Sequence, residues 1–417
     1  MRVKGRLSFV FVALLQMVVG VLYAHRVSDT LGLYVNERGD TLTYHYMDEQ
    51  NVLSQDTLPK SSGFMDFVED VSRFFIPDTS SGKKVSFLII PEFSYSDRSG
   101  IGIGGRARMY IRNAKPLPTG GARRLSFIDA SVDFSFKGDV SFSIVPEFYL
   151  NEDKLLLRGY LGYGHYPSSF WGVGPYSLDE DEEQYDKDNF KANVLIYKRI
   201  FHHMYAGVGY HFYDYSVGDK KEDGILDSGV VLGADGFKVS GLSAHFMYDT
   251  RDYQFVPMKG IYIQADGYYN FQATGSTTNF TKHNLDLRYY LSTGSRSVIA
   301  IAWYSQITMG DVPFQEMDGI SNGVHSRGYP SRRYIDKDLS SIQAEYRYYV
   351  GRFGFAGFAS AAGVGDNFFK ALSMNKITIG GGIRFKLFRS HRMYFRGDVG
   401  VSVDGGAQLY FGIDELF

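Results

Sequence analysis

The sequence predicts an all-β protein, a transmembrane antiparallel β-barrel of about 16 strands. Segments of roughly ten residues alternate apolar and polar side chains, as strands do when one face meets lipid and the other a polar lumen. Beyond the N-terminal region, no apolar stretch reaches the length of about 18 residues that a membrane-spanning helix needs. Long and short connections also alternate, which is typical of barrels with surface loops at one end and tight turns at the other.

Composition narrows the functional classes. The 417 residues carry a formal net charge of -2, and 16% of them are aromatic, with 32 Tyr and 47 Gly but no Cys. The lack of cysteine excludes disulfide frameworks, thiolate metal sites and cysteine nucleophiles. A nearly neutral chain shows no sign of a basic surface for nucleic acid, so we expect no nucleic-acid partner.

Residues 1–24 have the pattern of a secretory signal peptide. A basic head with Arg2, Lys4 and Arg6 precedes an apolar run, and Ala24 supplies a small residue for cleavage. A helical membrane anchor is the alternative, but the run is at the short end for a bilayer span. We therefore expect export and cleavage near Ala24.

Residues 25–82 are predicted to be a periplasmic N-terminal segment. Within it, Phe64–Phe75 places apolar side chains at helical spacing opposite acidic ones, and Pro77 follows, which predicts a short amphipathic helix. Packing on the rim or mouth of the barrel is the simplest role for this helix, and partner binding or plugging is the alternative.

Residues 83–417 are predicted to form the barrel. The strand Ser341–Val350 illustrates the alternation, with Glu345 and Arg347 toward the lumen and Ile342 and Tyr346 outward. Long surface loops are expected at residues 167–188, 214–235 and 309–337, and short periplasmic turns at residues 151–153, 202–203, 351–352 and 389–391.

The motifs of common enzymes are absent. No nucleophile elbow, zinc-binding helix, phosphate loop or dinucleotide fingerprint occurs, so we expect neither an enzyme nor a cofactor. His202 and His203 are interpreted as a solvated turn and not as a metal site. The acidic run 179–188 is interpreted as a solvated loop face in preference to a specific calcium site.

A short motif marks the predicted periplasmic turn between the eighth and ninth strands. It consists of Asp249, Arg251 and Asp252, followed by Pro257 and Gly260. Asp249 and Arg251 can pair on one face, while Pro257 and Gly260 shape the turn. From the residues alone, a purely structural role is favoured.

Four features occur in a characteristic order. They are the turn motif, the tripeptide Arg327-Gly328-Tyr329 in the long loop between the eleventh and twelfth strands, Glu345-Tyr346-Arg347 on the next strand, and a closing region with Gly380-Gly381-Gly382, Arg396-Gly397-Asp398 and Phe417. Together they resemble the bacterial surface antigen superfamily, the BamA/TamA-like outer-membrane barrels, here without recognisable periplasmic POTRA modules.

The resemblance implies that Arg327 reaches into the lumen and pairs with acidic side chains of the closing strands. Alternation places Glu345 and Asp398 inward, and a guanidinium in a partly dehydrated lumen needs such carboxylates. Ala361 occupies the position where relatives usually carry an aspartate. The resemblance therefore implies a loop that is held less tightly, or by Asp398 alone.

The last predicted strand, Gln408–Phe417, places Phe411, Ile413 and Phe417 outward together with Glu415. An aromatic C-terminus on such a strand resembles the signal that the barrel-assembly machinery recognises. Glycines at 405, 406 and 412 are expected to weaken this strand. The family in turn implies first and last strands that pair poorly, so that the seam between them can open.

The implied function is insertion, secretion or transport at the bacterial outer membrane, without covalent chemistry. The implied partners are outer-membrane lipid, the barrel-assembly machinery during biogenesis, and a protein or lipid cargo. The alternative is a passive diffusion channel or structural surface barrel without insertase activity, which the missing periplasmic modules favour.

Overall fold

A computed structural model describes residues 32–35, 41–44, 85–96, 100–111, 126–136, 138–321, 326–386, 392 and 394–417. The predicted signal peptide, residues 1–24, and the predicted amphipathic helix Phe64–Phe75 lie outside these residues. Near the N-terminus, β1 (Gly32–Val35) and β2 (Thr41–Tyr44) form an antiparallel hairpin.

Sixteen strands form one antiparallel sheet in which every strand pairs with its neighbours along the chain. They are β3 (Val85–Ser96), β4 (Gly100–Ile111), β5 (Ser126–Ser135), β6 (Val140–Leu150), β7 (Leu155–Phe170), β8 (Glu183–Phe201), β9 (Met204–Gly218), β10 (Phe237–Asp249), β11 (Gly260–Asn270), β12 (Phe280–Gly294), β13 (Ser297–Gly310), β16 (Asp338–Val350), β17 (Phe353–Gly365), β18 (Lys376–Lys386), β19 (Tyr394–Ser402) and β20 (Ala407–Ile413). The short strands β14 (Asp318–Gly319) and β15 (Ile335–Asp336) pair inside the longest loop, and α1 (Phe368–Ala371) follows β17. The predicted strand number and all-β class are confirmed.

Burial along the strands is the reverse of that in a soluble protein. On β16, Glu345 is 1% exposed and Arg347 is fully buried, whereas Ile342 is 42% and Tyr346 48% exposed. Apolar side chains face out and charged ones face in, as in a wall between lipid and a polar lumen.

Helices contribute no membrane span to the described part of the chain, since none of them is both long and apolar enough to cross a bilayer.

The predicted long loops occur at residues 171–182, 219–236 and 311–337, and the predicted short turns at 151–154, 202–203 and 351–352. We call these two ends of the barrel the loop end and the turn end. Residues 97–99 and 112–125, which connect the first three strands of the sheet, and the predicted turn 389–391 lie outside the described residues.

The three long loops pack together over the loop end. Phe314, in loop 311–337, lies with its ring centroid 5.1 Å from that of Phe170, and its N–H donates to the Leu232 carbonyl at 3.0 Å. The Gly174 N–H donates to the Ile335 carbonyl at 2.8 Å. Loop 311–337 is therefore joined to both of the other long loops.

The two ends of the sheet are β3 and β20, and we call the junction between them the seam. No backbone ladder joins these two strands within the residues that the structure describes. Side chains approach across the seam: Arg108 Nη1 on β4 lies 3.9 Å from Asp414 Oδ2, just after β20. Within the described residues, this ion pair is a side-chain contact between the two ends of the sheet.

Candidate functional site

The tip of loop 311–337, residues Arg327–Tyr329, lies against the inner face of β18 and β19. Gly328 has φ +122°, and a Cβ there would lie 2.9 Å from Thr378 Cγ2. A Cβ on Gly400 would in turn lie 3.0 Å from the Gly328 Cα. Both glycines allow the loop backbone to approach the wall closely, which places the neighbouring arginine deep in the lumen.

Arg327 is fully buried and is held by two carboxylates. Its Nη1 donates to Asp398 Oδ2 at 2.6 Å, and its Nη2 donates to Glu345 Oε2. The guanidinium carbon also lies 3.5 Å from the ring centroid of Phe358 on β17. The structure therefore brings together the three residues that the sequence singled out, with an aromatic platform that it did not.

The charged network is larger than the predicted trio. Arg384 donates to Asp398 Oδ1 at 2.5 Å, to Glu345 Oε1 at 2.8 Å and to Glu415 Oε2 at 3.0 Å. Two further arginines complete it: Arg347 Nε donates to Glu345 at 2.8 Å, and Arg396 Nη1 donates to Asp398 at 2.6 Å. Four guanidinium groups thus share three buried carboxylates, so each carboxylate links several strands.

One form of the implication drawn from Ala361, that Asp398 alone holds Arg327, is wrong. Ala361 has the same parity on β17 as the exposed Phe353 and Phe355, so it lies on the outward face and does not reach the lumen. The inward positions are Phe358 and Ser360, and the Ser360 hydroxyl lies 2.5 Å from that of Thr378. Arg327 is held by Glu345 as well as by Asp398.

The predicted outward direction of Glu415 and Phe417 is also wrong. β20 ends at Ile413, and Asp414 adopts a left-handed conformation with φ 66°, which breaks the strand alternation. The Glu415 side chain is fully buried, and Phe417 is 2% exposed. Residues 414–417, which we call the tail, turn into the lumen. Phe411, which precedes the break, is outward and 37% exposed as predicted.

The tail joins the arginine network. Arg347 Nη2 donates to the Phe417 main-chain oxygen at 2.8 Å, and the Arg347 guanidinium lies 5.1 Å from the Phe417 ring centroid. The Tyr349 hydroxyl donates to Glu415 at 2.8 Å. The segment after the last strand is therefore held by the same group of charges that holds the loop.

Tyr410, which the sequence analysis missed, connects the loop tip directly to the last strand. Its hydroxyl accepts from the Gly328 N–H at 2.8 Å and lies 2.9 Å from the Ser321 hydroxyl. Tyr410 stands opposite Asp398 in the β19–β20 ladder. One side chain of the seam strand thus contacts the loop beside the arginine network.

Tyr410→Phe is expected to weaken the attachment of the loop to β20 and not to unfold the barrel. The change leaves the partly buried Gly328 N–H without its acceptor, at a cost of about 1–3 kcal/mol. We expect faster protease cleavage within residues 311–337 with heat-dependent gel mobility retained. Tyr346→Phe, on the exposed face of β16, is the control. Equal cleavage rates in the two variants would contradict the assigned contact.

The turn motif builds a folded connection between β10 and β11. Arg251 donates to both oxygens of Asp249 at 2.9 Å, and Asp252 Oδ1 accepts from the Met258 N–H at 2.9 Å. Gly260 has φ +119°, and a Cβ there would lie 2.5 Å from the Thr250 carbonyl oxygen. Pro257 is buried within this turn. All five motif residues thus lie in this connection or at the strand ends that flank it.

Asp414 is a buried carboxyl group beside the seam. Burial raises its pKa from 3.8 to about 7, although Arg108 acts in the opposite direction, and its Oδ1 has no hydrogen-bond partner. Because the folded form keeps the proton, its contribution to stability is present below about pH 4 and is lost as pH rises to about 7. Glu415, Arg108 and Arg396 are the charged groups that act on it.

Asp414→Asn is therefore expected to make tail docking less dependent on pH. Melting temperatures at pH 5 and pH 8 should differ less in this variant than in the native protein, because asparagine stays neutral. The quantity to compare is the change in melting temperature between pH 5 and pH 8 in each protein, because other groups titrate in both. An identical pH dependence in the two would refute the role of Asp414.

One hydrogen-bonded row on the lumen wall has the composition of a hydrolytic triad. His245 lies 2.8 Å from the Ser243 hydroxyl through Nε2 and 2.6 Å from Asp266 through Nδ1. The imidazole has no exposed surface, and the rings of Tyr197 and Tyr268 lie against it at 5.4 and 5.6 Å. Because Ser243 is 4% exposed and the rings enclose the imidazole, we interpret the row as part of the polar wall.

The two sequence segments considered as metal sites form a tight turn and part of a long loop. His202 and His203 form the tight turn between β8 and β9, with ring centroids 5.8 Å apart. In the acidic run 179–188, Asp179 pairs with Arg333 at 2.6 Å. Within the described ranges, no group of three or more metal-binding side chains occurs.

Comparisons with known proteins agree with this architecture. A family model described as the Omp85 superfamily domain matches residues 124–401. The structure of BamA from Haemophilus ducreyi lacking POTRA domains 1–3 is similar, with a TM-score of 0.52, 12% identity, and coverage of 99% of this chain and 94% of that one. Identities this low show a shared fold alone.

Two CdiB structures are similar as well. That from Acinetobacter baumannii has a TM-score of 0.51 and 14% identity, over 79% of this chain and 60% of that one. That from Escherichia coli has a TM-score of 0.52 and 11% identity, over 91% of this chain and 72% of that one. No curated protein matches the chain.

Proposed function

Because the chain belongs to the Omp85 superfamily, we propose that it inserts or secretes protein at the bacterial outer membrane by opening the seam between β3 and β20. The observation that carries this proposal is the construction of the seam. Among the described residues its two strands share no ladder, the last strand contacts the loop tip from inside, and the tail that follows it is held by the arginine network. A joint of this kind opens when a few side-chain contacts break.

The rival function, a passive diffusion channel, receives less support. Loop 311–337 crosses the lumen to reach Asp398, and its outer part packs with the other long loops over the loop end. A steady pore for small solutes needs a continuous water-filled path, which a folded-in loop and a buried charge cluster obstruct. This obstruction favours a barrel that works by changing conformation.

Several parts of the proposal extend beyond the barrel. We propose that residues 1–24 are removed on export, that residues 25–82 lie in the periplasm, and that the protein performs no covalent chemistry. The barrel-assembly machinery would insert this chain, and lipid would surround its exposed apolar face. A protein cargo is proposed from the family, with lipid as the second candidate.

The proposal is tested by depleting the protein in its bacterium and measuring the outer-membrane and secreted proteins. We expect selective loss of one or more of these proteins, while purified protein in a planar bilayer shows no steady conductance. An unchanged set of proteins, together with steady conduction of small solutes, would favour the diffusion channel and overturn the insertion proposal.

A further inference from the structure

The connection between β10 and β11 does more than reverse the chain. Other turn-end connections, at residues 202–203 and 351–352, join neighbouring strands with two residues, whereas this one spans residues 250–259. Its middle part, Tyr253–Val256, enters the mouth of the barrel, and we call it the turn tip. Val256 is 1% exposed and packs in a cluster with Tyr349 and Phe417.

The turn tip contacts the first strands of the barrel. The Phe255 ring centroid lies 6.2 Å from that of Phe127 on β5, and the Arg108 guanidinium on β4 lies 5.4 Å from the Phe255 ring. Gln254 Nε2 donates to Glu147 Oε1 on β6 at 3.3 Å. Contacts with three strands near the start of the sheet thus fix one side of the tip.

The same tip contacts the end of the chain. The Glu415 N–H donates to the Phe255 carbonyl at 3.2 Å, and Phe417 lies in the cluster around Val256. At the base of the turn, Arg392 Nη1 donates to Asp252 at 3.1 Å. A single residue, Phe255, therefore contacts Arg108 on one side of the seam and Glu415 on the other.

The base of the turn is rigid enough to hold the tip in this position. Arg251 is fixed by Asp249 and also donates to the Gln254 carbonyl at 3.1 Å, while its guanidinium lies 4.4 Å from the Tyr262 ring centroid. Asp252 accepts two main-chain N–H groups on the far side of the turn. The motif residues therefore support the tip from its base.

We propose that the turn tip is a latch that bridges the seam at the turn end, keeps the tail inside the lumen and closes the mouth until it is withdrawn. The biological use of this latch rests on the proposed function. Its physical action does not, because withdrawal opens the mouth whether the cargo is protein or a small solute.

The test begins with Phe255→Ala, which removes the ring between Phe127 and Arg108 and keeps the main-chain contact with Glu415. We expect carboxypeptidase to digest the tail roughly tenfold faster, the change that about 1.4 kcal/mol produces in the docking equilibrium of the tail. Tyr176→Ala is the control, because it removes an 80% exposed ring from loop 171–182. A digestion rate equal to that of the control would overturn the proposal.

If Phe255→Ala does not fold, Gln254→Ala removes only the hydrogen bond to Glu147 and should speed digestion of the tail to a smaller extent. A second experiment joins the tip covalently to β5. The chain contains no cysteine, so Phe127→Cys with Phe255→Cys can be joined by a short bifunctional thiol reagent containing a disulfide. We expect carboxypeptidase to digest the tail more slowly in the joined protein than in the same variant after reduction, and the reagent to leave the digestion rate of each single-cysteine variant unchanged. Equal digestion rates in joined and reduced protein would overturn the latch. The depletion phenotype tests the proposed function separately, since it uses native protein.

Discussion

Arg327→Ala is expected to lower the free energy of unfolding by about 3 kcal/mol, the lower end of the range for breaking a buried ion pair. The substitution takes one donor from Asp398 and one from Glu345, and it removes the cation from the Phe358 ring. The cost stays at the lower end because three other arginines still neutralise the carboxylates.

The measurement is the temperature at which the barrel loses its compact gel mobility, together with protease cleavage of residues 311–337. Arg327→Lys separates charge from geometry, because lysine keeps the charge but lacks the planar fork. We expect this variant to fall between native and alanine. Lys370→Ala removes a solvent-exposed pair with Asp366 and is the control, because water and salt screen such surface pairs. A native melting temperature and a protected loop in Arg327→Ala would refute the role of Arg327.

Glu345→Gln is expected to destabilise the barrel more, by about 5 kcal/mol. Glu345 accepts from Arg327, Arg347 and Arg384, and all these groups are buried. The amide keeps the shape but removes the charge, which leaves four guanidinium groups on two carboxylates. The double variant Glu345→Gln, Arg327→Ala should have a free energy of unfolding closer to that of Arg327→Ala than the sum of the two single effects predicts, because both changes act on the same network. If Glu345→Gln melts at a higher temperature than Arg327→Ala, the shared network is not the source of stability.

The strand number and the inward direction of the key charges follow from sequence alternation, because a two-residue period decides which face each side chain occupies. Alternation cannot say which inward residues meet across a lumen. For that reason the sequence does not predict the contacts of Tyr410 and Arg384, although alternation places both on inward positions. Their partners come from strands or loops distant in sequence.

The side chains of the tail point inward, against the prediction, for a local reason. The prediction continues the two-residue alternation of the strand through Gly412 to Phe417. Asp414 ends this alternation because it takes a left-handed conformation, which aspartate tolerates better than most residues. The amino-acid composition of the turn tip also indicates its burial, which strand alternation alone does not predict. Tyr253, Phe255 and Val256 are apolar residues in a turn predicted to meet water, and such residues indicate a segment that packs against something.

The account's central claim is that the seam opens during function. With no native cysteine to compete, one cysteine on β3 and one on β20 can be joined across the seam by a bifunctional thiol reagent that contains a disulfide. The locked protein should lose its ability to restore the proteins missing after depletion, regain it on reduction, and keep the low conductance of the native barrel. A locked protein that restores those proteins as well as the reduced one would contradict the claim.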